Sequence, residues 1–239
     1  LFVFCKYKKI NLRIQHQKEY PPFFISAIFM GLHWITYFYA LQLSNVALGL
    51  LSLYTFPIIV SLLEPLFLKT TLNPIHILLG LLVLLGLYIL SPDFNIENTE
   101  VQGILCGVFS AFCYAIRILI LKQHVANYNG MMLMFYQTLI ISILLLPVLF
   151  FMDLSGLETQ YPYIIILAVV TTAAGHSLML HALQFFSATT TSIISSLQPV
   201  FGIILAFFLL NEIPNANTFL GGSLILFTVV IESIRSRKK

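Results

Sequence analysis

Eight stretches of about 20 mainly apolar residues, each long enough to cross a bilayer as a helix, constrain this chain more than any other feature. They run over approximately 21–43, 45–68, 74–91, 102–121, 130–152, 160–184, 188–210 and 215–233. Spanning β-strands would alternate in roughly ten-residue units. These runs are longer and continuously apolar, so helices are predicted. Only 9% of the residues are charged, against about 25% in a typical soluble domain. A soluble fold has no means of hiding that excess of apolar surface, so the solvent for most of the chain is lipid. The expected fold class is all-α integral membrane, with about eight full transmembrane helices. Several joints between them are only a few residues long, which makes those neighbours antiparallel.

Orientation follows from Lys and Arg, which accumulate on the cytoplasmic side. Lys6, Lys8, Lys9, Arg13 and Lys18 precede the first full stretch, Lys69 follows the second, Arg117 and Lys122 close the fourth, and Arg235, Arg237, Lys238 and Lys239 form the tail. Threading the stretches back and forth puts all of them on one side. The opposite loops carry Asp93, Glu97, Glu100, Asp153, Glu158 and Glu212 and no Lys or Arg. The expected location is a cell (plasma or inner) membrane, crossed many times, with a cytoplasmic C-terminus. The net charge of +3 therefore reflects topology, and no nucleic-acid partner is expected.

The chain also repeats itself. "YALQLSNVALGLLSLYTFPIIVSLL" (39–63) aligns without a gap on "HALQFFSATTTSIISSLQPVFGIIL" (181–205) at a shift of 142 residues. Ala-Leu-Gln falls on Ala-Leu-Gln, Pro57 on Pro199 and Gly80 on Gly222. The helix ending at Gln42 runs outward and the one ending at Gln184 runs inward, so the halves are inverted, an architecture built for exchanging which side is open. The expected organisation is a partial first repeat over 1–91, an extracytoplasmic linker over 92–101, a second repeat over 102–234 and a basic tail over 235–239. Shifting 102–121 and 130–152 back by the same interval places them before residue 1 or across it. The intact unit is therefore expected to be five plus five helices, the first half lacking one helix and nearly all of another.

These residues resemble the EamA-type branch of the drug/metabolite transporter superfamily. The resemblance rests on "YALQLSNVAL", "YTFPIIVSLL" and a Gly-containing last helix, repeated as "HALQFFSATTTSIISSLQPVFGIILAFFLLNE", and it covers nearly the whole chain. It implies ten helices in two inverted repeats, export of a small metabolite or drug-like solute, and aromatic residues lining a central cavity. Many repeats of the family end their fourth helix with Gly-Glu. Here the second half keeps the Glu as Asn211-Glu212, and the first has Lys69-Thr70.

The candidate substrate contacts are Gln198, His176, Ser195, Trp34, Tyr37, Tyr54 and Tyr114. Gln198 lies about 15 Å into its helix at 1.5 Å per residue, close to the midplane, where a carboxamide must find a partner. Pro199 removes the N–H that would bond the Ser195 carbonyl, so Pro57 and Pro199 are the expected kinks. Ser192, Ser195 and Pro199 share a face, with Ser196 beside it. These polar groups either bind helices to each other or line a cavity. His176 aligns with Trp34 and is either a packing residue or a site residue able to carry a proton. Trp34, Tyr37, Tyr54 and Tyr114 offer aromatic surface with polar tips, or pack against lipid. Glu64 and Arg117, at similar depth near the cytoplasmic end, are read as an ion pair, a gate or a charge contact to substrate. Gly103, Gly107, Ala111 and Ala115 form a small-residue stripe for close helix packing.

Several classes are set aside. No phosphate-binding loop is present, so the chain is no ATP-driven motor by itself. No nucleophile elbow or zinc signature appears, and no catalytic residue, metal site or cofactor is expected. Cys106 and Cys113 lie roughly 10 Å apart along one helix, too far for a bridge. The function expected is secondary transport by alternating access around a midplane cavity. The alternatives are a membrane scaffold or sensor and an intramembrane enzyme. The expected partners are a small-molecule solute and the lipid bilayer, with a homodimer left open.

Overall fold

A computed structural model describes residues 1–69, 71, 74–90, 96–151, 156–195 and 198–236. Among them every regular element is helical. In order these are α1 (Phe2–Tyr7), α2 (Tyr20–Leu43), α3 (Val46–Leu53), α4 (Phe56–Leu68), α5 (Pro74–Leu90) and α6 (Thr99–Lys122). Then come α7 (Gly130–Leu145), α8 (Leu157–Ile166), α9 (Ser177–Phe185), α10 (Ala188–Ser195), α11 (Gln198–Leu210) and α12 (Ala216–Ser236). Between α8 and α9 the backbone widens into π turns over Leu167–His176. Among the described residues, six helical runs are long and apolar enough to cross a membrane: Gln17–Leu43, Val46–Leu68, Thr99–Lys122, Gly130–Phe150, Leu157–Phe185 and Ala216–Arg235. Two shorter apolar helices, Pro74–Ile89 and Phe201–Leu210, fall where two further stretches were expected.

One of the expected helices is interrupted within the described residues. The run 45–68 divides into α3 and α4, with a turn at Tyr54 and Thr55. The cause is local. A proline lacks the N–H that would bond the carbonyl four residues back, and its ring clashes there. Leu53, the last residue of α3, is the residue four before Pro57. In the run 188–210, α10 is described to Ser195 and α11 from Gln198; Ser196 and Leu197, where the kink expected from Pro199 falls, lie outside the described residues.

The elements on either side recur with the same 142-residue interval. Asn45 caps α3 by accepting the Leu48 N–H at 2.9 Å, and Ser187 accepts the Thr190 N–H at 3.0 Å. Each oxygen serves one of the orphan donors of a first helical turn. At the far ends, Lys69 and Asn211 are left-handed, with φ of 51° and 56°. Glycine is the usual occupant of that conformation.

The chain forms two compact units, which do not coincide with the sequence halves. One comprises Leu1–Met30 and Ile120–Phe186, the other Gly31–Leu119 and Ser187–Lys239. In the first, α7 packs on α9 and α1. Lys122 Nζ donates to the carbonyls of Leu183 and Phe186, both at 2.7 Å, and so occupies acceptors left open at the end of α9. The buried Gln137 amide donates to Ser26 Oγ at 3.1 Å.

In the second unit α3 packs on α11, α4 on α10, and α5 on α12. The glycine stripe of α6 is a packing feature. A Cβ at Gly103 would come within 2.8 Å of Ser44 Cβ, and one at Gly107 within 2.8 Å of Ser52 Cβ. Ala111 and Ala115 are wholly buried. Leu48, Leu51, Ile104 and Ile225 form one apolar core and Ile58, Leu79 and Val83 another. Leu81, Leu84 and Tyr88 of α5 and Phe208 and Leu209 of α11 point outward and stay exposed. Large apolar faces of this kind suit a lipid solvent.

Candidate functional site

The second unit brings the polar groups of α2, α3, α6 and α11 together. Tyr54 stands in the turn between α3 and α4, and Gln198 stands on α11. Tyr54 Oη donates to Gln198 Oε1, so one polar contact joins the α3–α4 turn to α11. Tyr54 is buried, whereas the Gln198 side chain is exposed. Pro199, next to it, is buried.

A row of rings continues from Tyr54. It meets Phe56 edge-on at 5.5 Å, and Phe56 meets Tyr114 edge-on at 5.0 Å. Tyr114 stacks on His33 at 4.5 Å, and His33 on Tyr37 at 6.1 Å. The geometry is sequence-local: His33 and Tyr37 stand four apart on α2, and Ser110, Tyr114 and Arg117 stand four and three apart on α6, spacings that share a helix face. The Arg117 guanidinium lies 5.3 Å from the Tyr114 ring centre and is wholly buried, within range of a cation–π attraction.

The His33 tautomer can be reasoned out. Ser110 Oγ donates to the His33 carbonyl at 2.9 Å, and its oxygen lies 2.8 Å from His33 Nδ1. A serine hydroxyl has one proton. With that proton on the carbonyl, Ser110 accepts from Nδ1–H. In the neutral ring Nε2 then carries the lone pair and can accept a hydrogen bond. A phenol, a carboxamide, an imidazole and a guanidinium on one aromatic row can orient a small polar solute. Nothing in this set is arranged as nucleophile and base.

The remaining expected residues lie as follows. Trp34 is half-buried on α2. Ser195 Oγ donates to the Thr191 carbonyl at 3.0 Å, inside its own helix. Glu64, half-buried on α4, accepts from Thr189 Oγ1, while Arg117 faces Tyr114; the contacts described for the two are with different residues. Pro57 stands in the first turn of α4. His176 ends the π turns and is half-buried in the other compact unit. Tyr37, Tyr54, Tyr114, Arg117 and Gln198 thus share the aromatic row or its edges. His33, Ser110 and Phe56 join them without having been singled out as contacts. His33 carries the same sequence signal as His176, an ionisable ring inside an apolar stretch. Ser110 has no signal beyond its spacing from Tyr114. Among the described residues, no cluster of His, Cys, Asp and Glu could hold a metal ion.

The EamA-like transporter family matches residues 1–91 and 101–234. The chain belongs to this family. It is 28% identical over 206 residues to an uncharacterized transporter of Archaeoglobus fulgidus, covering 86% of this chain and 73% of that one. It is 29% identical over 154 residues to an S-adenosylmethionine uptake transporter of Rickettsia conorii, covering 62% and 48% respectively. It is 24% identical over 219 residues to the pseudopaline exporter CntI of Pseudomonas aeruginosa, covering 91% and 76%. A crystal structure, 15% identical, shares the fold with a TM-score of 0.72 over 99% of this chain and 83% of that one. The family's activity is membrane transport, and several apolar helices make this EamA protein a multi-pass membrane protein.

Proposed function

We propose that this EamA protein is a secondary transporter that exports a small polar metabolite or drug-like solute by alternating access. In this reading residues 1–91 and 102–234 are two inverted repeats of a five-plus-five helix unit, with the eight apolar stretches all spanning the membrane and the C-terminus in the cytoplasm. The observation that carries it is the contact of the α3–α4 turn with α11 through Tyr54 and Gln198, beside prolines 142 residues apart. A helix broken near mid-membrane exposes backbone groups that a solute can use, and such breaks recur in transporters at their binding sites.

The packing adds support. Exchanging α3 with α10 and α4 with α11 turns the α3–α11 contact into the α10–α4 contact, and both occur. A pseudo-two-fold axis requires that exchange. The solute would lie against Tyr54, Tyr114, Tyr37 and Gln198, with His33 Nε2 as an acceptor and Arg117 supplying positive charge. Trp34 is proposed as its further contact, and Pro57 and Pro199 as hinges. Export follows the general habit of the family. One relative is named as an uptake transporter and another as an exporter, so direction is the first thing to measure.

Metabolite profiling of cells and medium, with and without the full-length protein, tests the reading. A solute that leaves the cells only when the protein is present, and stays when Gln198 and Tyr54 are replaced together, is the expected result. Unchanged profiles would argue for a scaffold or sensor. An intact export phenotype in the double variant would remove both residues from the site.

A further inference from the structure

The geometry points to a second site, in the first compact unit, that binds a phosphate-bearing anion at the membrane surface. A cavity of about 350 Å³ opens between the segment after α1 and the segment before α7, lined by Lys8, Lys9, Arg13, Gln15, Asn127 and Asn129. That volume lies in the range of small-ligand sites. Three of these side chains are cations, and three are carboxamides that can donate to phosphate oxygens.

The cavity is built rather than a chance gap between loops. Tyr128, buried in its floor, accepts the Gln15 backbone N–H at 2.9 Å. The Tyr128 hydroxyl donates in turn to Glu19. Tyr136 Oη reaches the Leu12 carbonyl at 2.7 Å. These bonds fold residues 8–19 onto the start of α7. Lys9 takes a left-handed conformation, φ 52°, at the turn that carries Lys8 and Lys9 into the lining. Glu19 is engaged by Tyr128, so the lining remains net positive.

Position argues for the same ligand. The lining residues lie between apolar helices or in the first turn of one, so the cavity sits where spans meet water. Lys8 Nζ stands 5.9 Å from the rings of both Phe4 and Tyr7, and exposed aromatic rings of this kind settle at the interface. Clustered Lys and Arg at that level attract anionic headgroups, each contributing about fivefold in affinity. Phosphate can come from a lipid headgroup or from a free anion, and the two sources are separable.

The test uses the full-length protein in nanodiscs of phosphatidylcholine with or without phosphatidylglycerol. Native mass spectrometry reads retained lipid, and inorganic phosphate is added as competitor. The expected result is retained phosphatidylglycerol with wild type, reduced roughly 100-fold in affinity by K8Q/K9Q/R13Q together, and kept by the charge-preserving K8R/R13K. Displacement by millimolar inorganic phosphate would assign the pocket to a free anion, and resistance to it would assign it to lipid. Equal thermal midpoints of the variants without anionic ligand separate loss of binding from loss of fold. The proposal is overturned if the Gln variant retains phosphatidylglycerol and binds phosphate like wild type, or if the charge-preserving variant binds as poorly as the Gln variant.

Discussion

Replacing Tyr54 by Phe isolates the contact that joins the α3–α4 turn to α11. The ring is buried and meets Phe56 at 5.5 Å, and Phe keeps that packing. Only the hydroxyl that donates to Gln198 Oε1 is lost. Hydrogen bonds between membrane helices contribute about 0.6 kcal/mol on average and up to ~1.7 kcal/mol. Gln198 is exposed, so its freed carbonyl can be solvated and adds little further cost. Y54F should therefore lose about 0.6–1.7 kcal/mol, or roughly 1–7 °C in midpoint for a chain of this size. Gln198→Leu should lose a similar amount, and the double variant no more than the larger single loss. The assay is thermal unfolding of the purified protein for all four members of the cycle. Strictly additive losses, with a coupling energy near zero, would refute the contact.

Three further outcomes follow from local contacts. Ser110→Ala leaves the buried His33 Nδ1–H without its acceptor and should cost about 1–3 kcal/mol, read as a lowered midpoint. Glu212 accepts the Val46 N–H at 3.0 Å at the positive end of α3. Glu212→Ala should lose about 0.5–2 kcal/mol and Glu212→Gln less, measured the same way. Lys69→Gly should raise stability by about 0.5–1 kcal/mol, because a left-handed side chain costs more than the extra freedom of an unfolded glycine.

The helices were legible because lipid demands long apolar runs and leaves little ambiguity of period. The place where run 45–68 breaks was visible only as a proline, Pro57. A proline announces a disturbed carbonyl four residues back, but packing decides between a kink and a full interruption. The candidate site was half legible. Tyr54, Tyr114 and Gln198 stood out as polar groups in apolar surroundings. Ser110 did not, because a serine beside a small-residue stripe looks like packing until His33 is seen across from it. The Gly-Glu departure also became intelligible: Lys69 and Asn211 hold the left-handed turn that glycine fills elsewhere, and Glu212 serves the first turn of α3.

The central claim is that Gln198 faces a solute path open in turn to each side of the membrane. Its most direct test is Gln198→Cys in a chain whose Cys5, Cys106 and Cys113 have been replaced by Ala. The variant is labelled with a membrane-impermeant thiol reagent in right-side-out and inside-out vesicles. Alternating access predicts labelling from both faces, with the exported solute slowing both. Labelling from neither face would mean a solid core at the meeting of α3 and α11, and would contradict the account.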